Sequence, residues 1–243
     1  MVNGFHMSNK SKIVVTGGYG RFGKILKKNV GKNYIFPKKK QLDILKLNSI
    51  IKFLKRTKPK YLVHLAGLSR PLDLHEKNLE KSISLNIIGT SNVTIACSRF
   101  NIKLIFFSTS YVYPGNKGNY KESDPVLPMN NYAWSKLGAE SAVKMYQNSL
   151  ILRVSMTERP FIHKYAFANM KTNFIFHDEF IKIFKKILNK KGVLNIGGPS
   201  MSVYNFAKKY NKKVKKRYLK KNSKIKLPMN TSMNLSKLKK LLK

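Results

Sequence analysis

Acidic residues are scarce in this chain: 10 Asp plus Glu stand against 49 Lys plus Arg in 243 residues, a formal net charge of +39. Cysteine occurs once, at Cys97. A lone thiol excludes an internal disulfide framework and fits a reducing compartment, and its place after Ile95-Ala96 in a helical pattern reads as a small core residue. Long apolar runs are missing too, since no window approaches the roughly 18 uninterrupted apolar residues of a membrane span. Met1 to Lys10 is polar around a lone Phe5 and lacks the apolar core of a secretory signal, so a cytoplasmic location is expected. His163, His177 and Asp178 have no partner at metal-ligand spacing, and no metal site is expected. The length suits one large α/β domain, or one domain with a small appendage.

A charge balance this one-sided raises nucleic acid as a partner, through phosphate contacts and counterion release. The lysines are nevertheless spread through almost every segment, and no recognised nucleic-acid module accompanies them. The densest stretch, Lys208 to Lys221, interleaves its cations with Tyr210 and Tyr218. It reads mainly as solvated surface, with non-specific polyanion binding as a side effect.

Apolar runs alternate with helical patterns along the chain, and no internal repeat is evident. Lys12 to Thr16, Asn33 to Phe36, Lys60 to Leu65, Ile102 to Ser108 and Ser149 to Val154 read as strands. Asn48 to Arg56, Leu79 to Phe100, Asn131 to Gln147 and Glu179 to Leu188 read as helices. Such alternation argues for an α/β fold, a doubly wound parallel sheet whose ligands sit at the carboxyl ends of the strands. The expected division is a dinucleotide-binding Rossmann domain over 1–154, followed by a small substrate-binding portion and basic C-terminal segment over 155–243.

Two stretches carry the chemistry. Gly17-Gly18-Tyr19-Gly20-Arg21-Phe22-Gly23 joins the first strand to a helix, and glycines at 17, 20 and 23 fit a tight turn, close backbone approach to a pyrophosphate, and close helix packing. A Gly-rich turn without a ligand is the bland alternative. The second stretch is Ser108-Thr109-Ser110-Tyr111-Val112-Tyr113 with Asn131-Tyr132-Ala133-Trp134-Ser135-Lys136. Tyr132 and Lys136 are four apart in a helical pattern, which puts a phenol and an ammonium on one face. The ammonium is expected to lower the phenol's pKa, and Thr109 to hold a substrate oxygen beside it. Alone, Tyr-x-x-x-Lys is a weak signal; paired with the glycine loop it reads as an acid/base site.

Through these residues, with Leu42-Asp43-Ile44, His64-Leu65-Ala66-Gly67, Asn86 to Thr90 and Ile151-Leu152-Arg153, the chain resembles the extended short-chain dehydrogenase/reductases of the NAD-dependent epimerase/dehydratase superfamily. Within them it is most similar to the dTDP-4-dehydrorhamnose reductase group. The resemblance implies Thr109, Tyr132 and Lys136 as catalytic residues. It implies cofactor contacts from Gly17, Tyr19, Gly20, Arg21, Phe22, Gly23, Lys38, Asp43, Ile44, Leu65, Ala66 and Gly67, besides Tyr132 and Lys136. Substrate contacts would come from Thr109, Ser110, Tyr111 and Arg159. A nucleotide-linked sugar as substrate and a homodimer built through the tyrosine helix and the helix before it are also implied.

About 20 residues past the first glycine, where an acidic residue would select NAD, the chain has Lys38-Lys39-Lys40. NADPH is therefore expected, with NADH as the alternative. Asp43 stands where the family meets the adenine ring; a helix-capping aspartate is an equal reading. Dehydratases of this superfamily carry an Asp-Glu pair where this chain has Ser110 and Tyr111, and epimerase-reductases a cysteine at the place of Tyr111. Reduction needs neither. Epimerisation with retained cofactor, and a regulatory or scaffold subunit that binds NADP without turnover, stay open. His64 is expected to bond locally at its strand end.

Overall fold

The structure, a computed structural model, describes residues 11–220 and 223–243. Met1 to Lys10, read above as lacking a secretory signal, lies outside the described residues. In chain order the first half contains β1 (Ile13–Thr16), α1 (Arg21–Lys28), β2 (Tyr34–Ile35), α2 (Leu47–Thr57), β3 (Tyr61–His64), α3 (Asp73–Lys77) and α4 (Leu79–Ser82). A π-helical turn (Ile83–Ile88) joins α4 to α5 (Gly89–Arg99), and β4 (Lys103–Thr109) runs into a 3-10 turn (Ser110–Val112). Then come α6 (Asn131–Lys144), β5 (Ser149–Val154), β6 (Met156–Thr157), β7 (Tyr165–Phe167), β8 (Lys171–Thr172), β9 (Ile175–Phe176) and α7 (His177–Ile187). β10 (Gly192–Ile196), β11 (Met201–Ser202), α8 (Val203–Tyr210), β12 (Lys215–Arg217) and α9 (Ser236–Leu242) complete it.

Six strands form one parallel sheet in the order β10-β5-β4-β3-β1-β2. Each central strand is buried on both faces, which is why β1, β3 and β4 are short β-branched and aromatic runs rather than alternating ones. Successive side chains divide between two cores. Ile13, Val15, Val63, Ile105 and Phe107 pack with Phe22, Leu26, Phe180 and Phe184 of α1 and α7. Val14, Leu62, Leu104 and Phe106 pack with Ile50, Phe53, Val93, Ala139 and Val143 of α2, α5 and α6. The result is the doubly wound α/β fold expected from the sequence.

The structure departs from the sequence reading in two places. Leu79 to Phe100, expected as one long helix, contains the π-helical turn around Asn86. There the Asn86 amide leaves the helix to bridge two segments, donating to the Leu68 carbonyl (2.9 Å) and to Ser135 Oγ (2.8 Å) while Oδ1 accepts from the Leu68 N–H (2.7 Å). A wider turn is the local cost of that bridge. The other departure is β10, which the apolar pattern does not reveal: it lies far beyond Val154 yet joins the central sheet beside β5.

Chain after β5 also builds a smaller lobe. Phe161, Ala166, Met170, Phe176, Val203, Phe206, Ala207 and Val214 form its own core. Short strand pairs hold it together: β6 with β9, β8 with β11, and β7 with β12.

Candidate active site

At the carboxyl end of the sheet the chain leaves β1 in one direction and β3 in the other, and this reversal opens a crevice where doubly wound folds take ligands. Gly17 has φ +68°, and a β-carbon there would lie 2.5 Å from the Ala66 backbone nitrogen. Glycine is the residue that can turn there while the two strand ends touch. A β-carbon on Gly23 would lie 2.6 Å from the Gly18 Cα, so the third glycine lets α1 sit directly on its own loop. No side chain caps α1 at Gly20, so its first N–H groups face the crevice side of the loop with the positive end of the helix dipole.

A cavity of about 370 Å³ runs from this loop into the smaller lobe. It brings together Gly17, Gly20, Arg21, Phe22, Gly23, Leu65 and Gly67 with Thr109, Ser110, Tyr111, Tyr132 and Lys136. Residues far apart in the sequence thus share one chamber, as the two motifs led us to expect. Asn130 caps α6, its side chain accepting from the Ala133 N–H at 2.9 Å, and so sets the start of the helix that carries Tyr132 and Lys136. Further along, Glu140 pairs with Arg153 of β5 at 2.8 Å in the interior, and Arg153 also donates to the Tyr113 hydroxyl at 3.0 Å. The ion pair locks α6 onto the sheet one turn beyond Lys136.

Electrostatics inside the cavity differ from the expected scheme. Burial pushes the Tyr132 phenol above its ordinary pKa, and the Thr109 hydroxyl with the positive Arg70 and Arg21 only partly opposes it. Lys136 is not what lowers it. Its ammonium lies over the Phe106 ring, 4.1 Å from the centroid, and burial brings its pKa down to about 7 against the pull of Glu140. In this protein alone, the dry pocket disfavours both charged forms. Burial thus holds Tyr132 as a neutral phenol. Burial likewise raises Tyr111 to about 12, with Tyr132 beside it at a ring separation of 6.3 Å.

Ser110 lines the cavity, but its hydroxyl belongs to a closed ring. It bonds Ser155 Oγ at 2.7 Å, Ser155 bonds Thr172 Oγ1 at 2.9 Å, and Thr231 joins Thr172 to Ser110 at 3.3 Å on each side. Ser110 donates to Thr231 and Thr231 to Thr172, which leaves Thr172 to donate to Ser155 and Ser155 to Ser110. Each hydroxyl has one proton, so the ring uses them all. Ser110 can accept from a ligand but has no free proton to give.

Other sequence-derived site residues lie outside the chamber. Tyr19 is exposed under Lys27, whose Nζ is 5.4 Å from its ring. Lys38 is exposed just past β2, its N–H donating to Gln41 Oε1 at 2.8 Å. Asp43 Oδ1 accepts from the Leu45 N–H at 3.1 Å, a turn-capping bond, and Ile44 is buried against Gly89. Ala66 supplies the backbone that Gly17 touches. Arg159, expected beside the substrate, is instead bound to Glu179 at 2.8 Å and stacked over Phe176 at 3.8 Å. Its neighbour Glu158 lines the cavity and pairs with Arg21 at 3.3 Å.

Sequence reasoning missed Arg70, Ser108, Glu158 and His177, all on the cavity wall. Ser108 Oγ and His177 Nδ1 are buried without a hydrogen-bond partner. Arg70 follows the matched His64-Leu65-Ala66-Gly67 run and could have been found from that; His177 and Glu158 are brought in by long-range packing and carry no local signal. His64 behaves as expected: it bonds Thr16 at 2.7 Å and Thr90 at 3.0 Å, and burial lowers its pKa to about 3, so it is a neutral structural link. Among the described residues no cluster of His, Cys, Asp and Glu could hold a metal ion.

Residues 11–170 match the family described as RmlD substrate binding domain. The chain belongs to that family. Among curated relatives of this RmlD-family chain, a dTDP-4-dehydrorhamnose reductase of Aggregatibacter actinomycetemcomitans is 26% identical over 203 residues, 79% of this chain and 64% of the relative. The methionine adenosyltransferase 2 subunit beta of Pongo abelii is 28% identical over 142 residues, 54% of this chain and 42% of the relative. The chain thus spans less than two thirds of the length of these curated relatives. Among solved structures, the dTDP-4-dehydrorhamnose reductase of Bacillus anthracis in complex with NADP superposes with a TM-score of 0.86 at 22% identity, covering 95% of this chain and 92% of that one. At that identity the superposition speaks for the shared fold.

Proposed function

We propose that this RmlD-family chain is an NAD(P)H-dependent reductase of a nucleotide-linked 4-keto-6-deoxy sugar. The observation that carries the reading is the single chamber in which the glycine loop meets Thr109, Tyr132 and Lys136. The residues present fit a dinucleotide. Gly17 and Gly23 let the β1–α1 loop close tightly on its own backbone, the N-terminus of α1 is uncapped, and Ser108 and His177 hold buried polar atoms without partners on the cavity wall. Gly17 to Gly23, Leu65, Gly67 and Lys136 would hold the cofactor, whose nicotinamide supplies the hydride when bound.

The chain's own residues supply the rest. Thr109 orients the carbonyl oxygen, and Tyr132, kept protonated by burial, gives its proton to that oxygen as it becomes an alkoxide. Lys136 then restores the phenol's proton balance, for which a pKa near 7 is better suited than one near 10. Tyr111 closes the wall beside the sugar, and Ser110 accepts from a sugar hydroxyl. Ser110 gives no proton, which agrees with reduction rather than dehydration. NADPH is the proposed cofactor, because Lys38, Lys39 and Lys40 are exposed cations at the end of β2 with no acidic side chain among them. NADH is the alternative, in line with a structural relative, the Bordetella bronchiseptica enzyme WbmG, solved in complex with NAD.

Residues 1–154 would serve as the cofactor domain and 155–243 as the substrate portion, with β10 returned to the sheet. A homodimer is proposed through the face where Leu79, Ile83 and Trp134 are exposed on neighbouring helices. No described helix is long and apolar enough to cross a membrane, and a cytoplasmic location is proposed. A second reading, a subunit that binds NADP without turnover, is favoured by the 28% identity to a methionine adenosyltransferase subunit beta. Fluorescence titration with NADPH and NADH, followed by cofactor oxidation with dTDP- or UDP-4-keto-6-deoxyhexose, separates the two. Binding with oxidation supports the reductase; tight binding with no oxidation on either sugar supports the subunit.

A further inference from the structure

Every charged side chain after Glu179 is positive: residues 180–243 contain no Asp or Glu, while lysines and arginines recur as far as Lys243. A general preference for lysine over arginine would leave acidic residues in place, so the asymmetry belongs to this stretch of the sequence. Its most open element is β12, whose residues Lys215, Lys216 and Arg217 are all exposed. β12 pairs in parallel with β7, placing Lys215 beside Tyr165 and Arg217 beside Phe167. In a strand, alternate residues share a face. One face of this two-stranded ribbon therefore sets two aromatic rings alongside two cations.

The contacts agree with that pattern. The Arg217 guanidinium lies 5.7 Å from the Phe167 ring centroid, and Lys164 lies 5.8 Å from the Tyr165 ring. Tyr165 is 47% exposed, and Tyr218, directly after the strand, is 63% exposed. Lys216 turns to the other face, over Tyr204 of α8 at 5.2 Å. Exposed cations alone would suit any polyanion. Exposed rings interleaved with cations along an open strand suit a partner with flat apolar faces and a regularly charged backbone.

We infer that the β7–β12 face is a binding surface for single-stranded nucleic acid, independent of the cavity and of the reaction proposed there. Phosphates would lie along Lys215 and Arg217, and bases would stack on Tyr165 and Tyr218. An acidic protein segment would use the cations and leave the rings idle.

The test is fluorescence anisotropy of the full chain with labelled single-stranded RNA and DNA homopolymers, and with heparin as a polyanion without aromatic rings, between 50 and 200 mM salt. Expected are binding at 100 mM salt, a rise of about tenfold in Kd for Lys215→Gln/Arg217→Gln, and a log–log salt slope shallower by about 1.4, at roughly 0.7 for each phosphate no longer neutralised. Tyr218→Ala should weaken single-strand binding by about fivefold or more and leave heparin unchanged. NADPH titration and a thermal melt of each variant report folding. Absence of binding at 100 mM salt, or binding that the double variant leaves unchanged, would overturn the assignment of this face. Equal loss on heparin and nucleic acid with no effect of Tyr218→Ala would overturn the nucleic-acid assignment in favour of charge alone.

Discussion

On the wall of the cavity that carries Tyr132, side chains are fixed by neighbours close in sequence and by the backbone: Asn130 caps the helix, Gly17 touches Ala66, and Glu140 holds α6 to β5 through Arg153. Elsewhere in the cavity lining, Ser110, Ser155 and Thr172, joined through the buried Thr231, come from segments spread across 121 residues and are held by one another's hydroxyls. Arg21 and Glu158, also in the lining, pair at 3.3 Å. The first wall is built to place charge-bearing groups in a dry setting. The second offers a neutral lining whose hydroxyls are already satisfied by one another.

Breaking the first wall should therefore cost far more than breaking the second. The largest effect on stability is expected for Glu140→Ala, which leaves the Arg153 guanidinium buried without its carboxylate; a loss of about 3–5 kcal/mol should appear in urea unfolding. Gly17→Ala comes next. It forces a β-carbon to 2.5 Å from the Ala66 nitrogen at a positive φ, and a cost of about 3 kcal/mol together with loss of cofactor binding is expected by thermal melt and fluorescence titration. Thr172→Val, which breaks the hydroxyl ring, should cost only about 1–2 kcal/mol and leave cofactor affinity unchanged.

The pH dependence sharpens the contrast further. His64 titrates near 3 in the folded chain and near 6.5 when unfolded, so its unfolded form takes up a proton first and stability falls as the pH drops from about 6.5 to 3. Lys136 titrates near 7 when folded and about 10.4 when unfolded, so stability rises with pH across that window. Lys136→Met should flatten the upper slope and raise the melting temperature of the cofactor-free protein at pH 7, while abolishing turnover. A ring of four hydroxyls has no titration in either range, and Thr172→Val should leave both slopes as they are. Melting curves from pH 4 to 10 read all three outcomes.

How much of this is legible in the sequence follows the same division. β1, the glycine loop and α6 each announce themselves in a few consecutive residues; spacing ties Tyr132 and Lys136 to one helix face, and Thr109 stands at the end of its strand where the family resemblance looks for it. Glu158 and His177 carry no such periodicity; their place depends on how the smaller lobe folds back over the sheet. The sign of the Tyr132 shift escapes the sequence for a related reason. Spacing shows that a lysine is near a tyrosine, but only packing shows that Phe106 lies under the ammonium and that burial outweighs it. β10 is hidden because a five-residue strand after a helix joins the sheet through register with β5, a non-local fact.

The central claim, that a buried neutral Tyr132 is the proton donor in a reductase, is tested most directly by single-turnover oxidation of bound NADPH with dTDP-4-keto-6-deoxyhexose, comparing wild type with Tyr132→Phe. The account predicts turnover by the wild type, a loss of about 100-fold to 10,000-fold in the variant, and unchanged NADPH affinity. Equal rates in both proteins would contradict it.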